Sequence, residues 1–189
     1  MNEADKAKDK RRALIVVNVQ NDFCPGGALA VPHGDEVIGP LNGLIEEFLS
    51  LDEPVFKSRD WYPPKTKQVE DNGEITPTHC IQKTHGAEFH PELLDDPRIT
   101  IISKGADDEN NCSAFDGTDL PALLDEQGVK EIWVGGLATD YCVKNTVLDA
   151  LRKGFTVKAI GNAMRAIDTQ PGDGDRALEE MRQKGAEII

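Results

Sequence analysis

A cysteine at position 142 lies near the end of the stretch Gly135-Gly136-Leu137-Ala138-Thr139-Asp140-Tyr141-Cys142-Val143, which follows the apolar run Ile132-Trp133-Val134. Apolar residues at 143, 147, 148 and 151 then recur at helical spacing, so the segment reads as a strand, a tight turn and a helix with one buried face. Cys142 falls in the first turn of that helix, where backbone N–H groups and the positive end of the helix dipole favour a thiolate. Taken alone, such a cysteine reads more simply as a small buried hydrophobe. Its company changes the reading: Asn18, Asp60 and Lys104 also stand where apolar runs end. A thiolate attacking a carbonyl needs a charge to keep it ionised, donors to hold the oxyanion and an acid to protonate the leaving group. Lys104 could supply the first, although a lysine after a strand is more often solvated. Backbone N–H groups of the turn at 138–142 could supply the second. The third is missing, because Asn18 stands where a carboxylate would be expected and an amide accepts no proton at neutral pH.

These residues need a scaffold that brings strand ends together. Residues 13–19, Ala-Leu-Ile-Val-Val-Asn-Val, form a near-continuous apolar strand of the kind found at the centre of a parallel sheet. Its interruption by Asn18 marks either a hydrogen-bonded structural group or part of a site at the sheet edge. Residues 20–34, with Pro25 and Gly26-Gly27, read as a loop. A helix over 35–49 carries Val37, Leu41, Leu44 and Phe48 on one stripe. Strands follow at 54–58, 99–103, 130–134, 155–160 and from 187. Helices are expected over about 119–127, with Asp119 as the cap, and over 140–152 and 174–184. The segments through His79-Cys80 and over 106–117 read as irregular, and 161–173 as a loop. Strands alternating with amphipathic helices predict an α/β fold: a three-layer open sheet of about six mainly parallel strands with helices on both faces. A ligand would then sit beyond the carboxyl ends of the strands.

Composition narrows the function classes. A chain of 189 residues suits a single domain, here 13–189, preceded by a polar, disordered tail over 1–12. A formal charge of −13 argues against nucleic acid or an anionic membrane as partner. The four cysteines, at 24, 80, 112 and 142, show no zinc-finger spacing and read as free thiols in a reducing compartment. Residues 1–12 carry no leader-like apolar stretch and no run is long enough to span a membrane, so a cytoplasmic location is expected.

The sequence resembles the nicotinamidases of the isochorismatase-like cysteine hydrolases from residue 13 to 189. The matching stretches are Val19-Gln20-Asn21-Asp22-Phe23 with Pro25-Gly26-Gly27-Ala28-Leu29, Arg59-Asp60-Trp61, His79-Cys80, Gly86-Ala87-Glu88-Phe89-His90, Lys104-Gly105, Ser113-Ala114-Phe115, and the turn from Gly136 to Val143. The resemblance implies a six-stranded parallel sheet and a Cys-Lys-Asp triad that hydrolyses nicotinamide to nicotinate and ammonia through a thioester. It also implies a cis peptide before Ala138, with the N–H groups of Ala138 and Cys142 forming the oxyanion hole. On this reading Cys142 matches the nucleophile and Lys104 the triad lysine, while Asn18 replaces the triad aspartate. Asp60 and His79 match two metal ligands, for zinc, iron or manganese, but Tyr62 replaces a ligand histidine and leaves the set incomplete. Lys67 or Gln68 stands where some members carry a further histidine. In the substrate pocket Phe23 matches an aromatic, Thr76 replaces a tryptophan and Cys112 a common tyrosine. The resemblance implies a small amide as substrate and a homo-oligomeric assembly. Two functions are in view: an amide hydrolase impaired by Asn18, and a catalytically inactive homologue that binds a small molecule or a protein. The same turn would also permit redox chemistry at Cys142.

Overall fold

The fold follows from one alternation. In β1 (Arg12–Val17), Leu14 and Val16 enter one apolar cluster, while Ala13, Ile15 and Val17 enter the other. A strand apolar on both faces must be covered on both faces. The computed structural model describes residues 11–65, 77–106 and 112–189, and shows that covering. Helix α1 (Ile38–Ser50) packs Leu41, Ile45 and Phe48 against Leu14 and Val16. Helices α2 (Leu120–Glu126), α3 (Lys144–Arg152) and α4 (Asp173–Gln183) bury Leu120, Leu124, Val147, Ala150, Ala177 and Met181 on the opposite side.

Among the described residues six strands form one sheet. With β2 (Val55–Asp60), β3 (Thr100–Lys104), β4 (Glu131–Leu137), β5 (Thr156–Arg165) and β6 (Glu187–Ile188), the order is β3-β2-β1-β4-β5-β6 and every pairing is parallel. This is the expected α/β architecture. The chain moves outward from β1 to β3 and then returns to pair β4 with β1, so the crevice between β1 and β4 is the topological switch point where such sheets bind ligands.

Several boundaries differ from the sequence reading. Residue 12, assigned to the tail, opens β1: its guanidinium bonds Glu53 at 2.6 Å and lies 4.6 Å from the Phe48 ring centroid. Residues 1–10 of the expected tail lie outside the described residues. Strand β4 runs on through Gly135-Gly136 to Leu137, because without a side chain Gly136 comes close against β1. A Cβ there would lie 2.1 Å from the Val17 carbonyl oxygen, at a φ of +124°. Beyond a register shift between Val134 and Gly136, β5 continues to Arg165 beside β4, where a loop was expected. Asp119 makes no side-chain cap to α2; the Leu120 N–H donates instead to Thr118 Oγ1 at 3.3 Å. Among the described residues no helix is long and apolar enough to cross a membrane.

Candidate active site

Four strand ends deliver the predicted polar residues to one place. Asn18 follows β1 in the left-handed backbone region, φ 51°, a conformation asparagine tolerates better than most residues. Asp60 ends β2 and Lys104 ends β3, and the two are register partners. Cys142 lies in the π-helical turn Thr139–Val143 between β4 and α3. The Leu137–Ala138 peptide is cis, as the resemblance implies.

The side chains form a continuous chain of contacts. Lys104 Nζ donates to Asp60 Oδ1 and lies 3.6 Å from Cys142 Sγ. Asn18 Nδ2 donates to Asp60 Oδ2 at 3.2 Å, and Ser58 Oγ donates to Asn18 Oδ1 at 3.1 Å. The serine thus fixes which end of the amide faces Asp60. Burial opposes the charge on Lys104, but the neighbouring Asp60 carboxylate and Cys142 outweigh it and hold the ammonium well above the ordinary lysine range. Cys142 Sγ also lies 3.3 Å from Cys112 Sγ. That hydrogen bond lowers the Cys112 thiol and, followed by burial, raises the Cys142 thiol. One proton leaves this pair readily beside Lys104, and the charge left behind opposes loss of the second.

The expected metal ligands are also placed. Both Asp60 oxygens are engaged, one by Lys104 and the other by Asn18. His79 Nδ1 lies 2.7 Å from the Pro77 carbonyl oxygen, and its ring stands edge-on to Phe23 at 5.4 Å and to Tyr62 at 5.6 Å. Tyr62 is buried and packs its ring over Gly105, where a Cβ would lie 2.5 Å from Tyr62 Cε1. Burial, with the nearby Asp60 charge, pushes its phenol up and keeps it neutral. Among the described residues no group of three or more His, Cys, Asp or Glu side chains is placed to hold an ion. Since zinc centres draw three or four protein ligands, the described residues do not fit one. Of the expected pocket residues, Phe23 is buried beside His79 and Cys112 reaches Cys142, while Thr76, Lys67 and Gln68 lie outside the described residues.

Four residues that frame the site escaped the sequence reading as individuals. Gln20, fully buried, accepts from the Asp60 N–H at 2.8 Å and donates to the carbonyls of Asp60 and Ala87 at 2.8 and 3.0 Å, locking β2's end to the following loop. Ser58 orients Asn18. Asp22 accepts from the Cys80 N–H at 2.7 Å, and a Cβ on Gly86 would strike its carboxylate. Asp140 accepts from the N–H groups of Ile167 and Asp168 at 3.0 and 2.9 Å, tying the nucleophile turn to the segment after β5. The available signal was a polar residue beside an apolar run, but apart from the Ala28 N–H that donates to Asp22 the partners are 27 to 67 positions away.

Known proteins share this fold and much of this sequence. A family model described as the isochorismatase domain matches residues 12–189. The nicotinamidase of Escherichia coli strain K12 is 39% identical, over 94% of this chain and 93% of its own length. The nicotinamidase/pyrazinamidase of Mycobacterium tuberculosis is 34% identical, over 94% of this chain and 98% of its own. Among solved structures, the pyrazinamidase of Pyrococcus horikoshii in complex with zinc superposes with a TM-score of 0.87 at 42% identity, covering 95% of this chain and 98% of that one. Matched along nearly its full length in both sequence and fold, the chain belongs to the isochorismatase family, as a nicotinamidase-like hydrolase.

Proposed function

We propose that the chain is a cysteine amidohydrolase that cleaves nicotinamide or another small amide to the acid and ammonia through a thioester on Cys142. The observation that carries this reading is the convergence at the β1–β4 switch point of Cys142, a buried ammonium 3.6 Å from its sulfur, and the first N–H groups of a helical turn. The Cys142 thiol hands its proton to the Cys112 sulfur 3.3 Å away and attacks the amide carbon. The N–H groups of Ala138 and Cys142 hold the resulting oxyanion. Collapse breaks the C–N bond as the nitrogen takes up a proton and leaves as ammonia. Water then adds to the thioester, the C–S bond breaks and the acid departs.

Asn18 carries none of these protons. It orients Asp60, and Asp60 neutralises Lys104. Among the described residues, the groups in contact with Cys142 that can move a proton are Lys104 and Cys112. With no carboxylate among these described contacts, turnover is about 10²- to 10⁴-fold below that of a site with a positioned acid–base group. No step passes through a metal: an ion at Asp60 and His79 would have to displace Lys104 and Asn18. Phe23, Cys112 and Thr76 are the proposed substrate contacts. All four cysteines are free thiols, which suits the reducing cytoplasm.

The Asn18 amide facing Asp60 supports a second reading, an inactive homologue that keeps the fold and binds a small molecule or a protein. Ammonia release from nicotinamide and a panel of small amides separates the two. The hydrolase reading expects release that disappears in Cys142→Ala and rises in Asn18→Asp; silence in both the unsubstituted chain and Asn18→Asp would favour the binding reading.

A further inference from the structure

We infer that Cys112 and Cys142 are a built oxidation site, closing to a reversible disulfide when the protein meets a hydroperoxide. Their sulfurs are 3.3 Å apart with no bond between them. A disulfide needs about 2.0 Å, so closure asks for little more than an ångström of movement. The two thiols reach each other from different elements that are separately fixed. Cys142 sits in the turn held by Asp140, and the loop of Cys112 is docked on α3 by the Ala114 N–H donating to Thr146 Oγ1 at 3.0 Å. Both residues are partly exposed, whereas Cys24 and Cys80 are 1% and 0% exposed. Burial also raises the Cys24 thiol to about 11 and the Cys80 thiol further still, keeping both protonated. A bond from Asn145 and the charge of Lys104 favour an anionic sulfur in the pair.

The Cys142 sulfur passes its proton to the Cys112 thiolate 3.3 Å away and attacks one oxygen of the hydroperoxide, and the O–O bond breaks. Sulfur is oxidised by two electrons to a sulfenic acid, and the other oxygen leaves as alkoxide or hydroxide, taking a proton from solvent. The Cys112 sulfur then attacks Cys142 Sγ: the S–S bond forms, the S–O bond breaks, and hydroxide leaves as water with the proton from Cys112. A dithiol reductant returns both thiols by way of a mixed disulfide. The disulfide protects the sulfur from irreversible over-oxidation. Its consequence for turnover rests on the hydrolase reading above, because the nucleophile is withdrawn while the bond lasts.

The test treats the full chain with a small excess of hydrogen peroxide, blocks remaining thiols with iodoacetamide under denaturing conditions and maps the peptides by mass spectrometry. The expected product is a Cys112–Cys142 linked pair, two hydrogens lighter, with Cys24 and Cys80 alkylated, and dithiothreitol reverses it. Cys112→Ser should instead carry Cys142 on to sulfinic acid. Sulfinic acid at Cys142 in the unsubstituted chain with Cys112 still alkylated, or links to Cys24 or Cys80, would overturn the inference. Ammonia release is read on the same samples. Linked protein that still releases ammonia at the reduced rate would refute the withdrawal of the nucleophile. Reduced protein that releases none, in the Asn18→Asp variant as well, would refute the hydrolase reading while the mass map decides the disulfide on its own.

Discussion

Replacing Lys104 by methionine tests whether the ammonium holds the site together. The ion pair with Asp60 is almost wholly inside, with side-chain exposures of 0% and 3%. Lys104→Met keeps most of the volume but leaves the Asp60 carboxylate buried with the Asn18 N–H bond and no cation on its other oxygen. Breaking a buried pair from one side costs about 3–5 kcal/mol, far more than the same pair is worth at a surface. With a urea m-value of about 2 kcal/mol/M, the unfolding midpoint should fall by roughly 1.5–2.5 M. Asp60→Asn is the complementary single change. The double variant, in which neither buried charge remains, should lie within about 1–2 kcal/mol of the parent, giving a coupling energy of at least about 2 kcal/mol. Urea unfolding of the four proteins at pH 7, followed by circular dichroism, supplies the cycle. A loss below about 1 kcal/mol in Lys104→Met, or a double variant as unstable as the sum of the singles, would refute the assignment of this pair as a buried, mutually compensating one.

Other consequences can be checked in parallel. Gly136→Ala should destabilise the protein by at least about 4 kcal/mol, since its Cβ would overlap the Val17 carbonyl at a φ of +124°. Gly43→Ala, on α1 with nothing within 4 Å of the added carbon, should instead gain about 0.5–1 kcal/mol; both are read by thermal or urea unfolding. The thiol pair should lose its first proton below the ordinary thiol value and its second well above it. The rate of iodoacetamide labelling should therefore rise with pH in two separated steps, merging to one in Cys112→Ser. Zinc should bind weakly by titration calorimetry and a chelator should leave ammonia release unchanged, while Tyr62→His should tighten zinc at least about tenfold by adding an imidazole beside Asp60 and His79.

The sequence announced the strand ends because continuous Val, Ile and Leu runs stop there, and this put Asn18, Asp60, Lys104 and Cys142 at one sheet edge before any coordinates. What it hid depended on partners distant in the chain. Nothing in Ser58 or Gln20 predicts that one orients Asn18 and the other clamps Asp60, because those bonds span 40 positions. Gly135-Gly136 and Gly161-Asn162 look like turn signals, yet β4 and β5 run through them because close approach to β1 and parallel pairing outweigh local preference. Asp119 has the right type for a cap, but Thr118 makes the bond. The approach of Cys112 to Cys142 is likewise tertiary, set where the loop docks on α3 through Thr146.

Acylation of Cys142 is read by acid quenching during turnover of nicotinamide or the best amide of the panel, followed by peptide mass mapping. The acyl group of the substrate is expected on the peptide containing Cys142, reversible by hydroxylamine and absent from Cys142→Ala, which releases no ammonia. Ammonia release that persists in Cys142→Ala, with no acyl group on any cysteine, would contradict acylation.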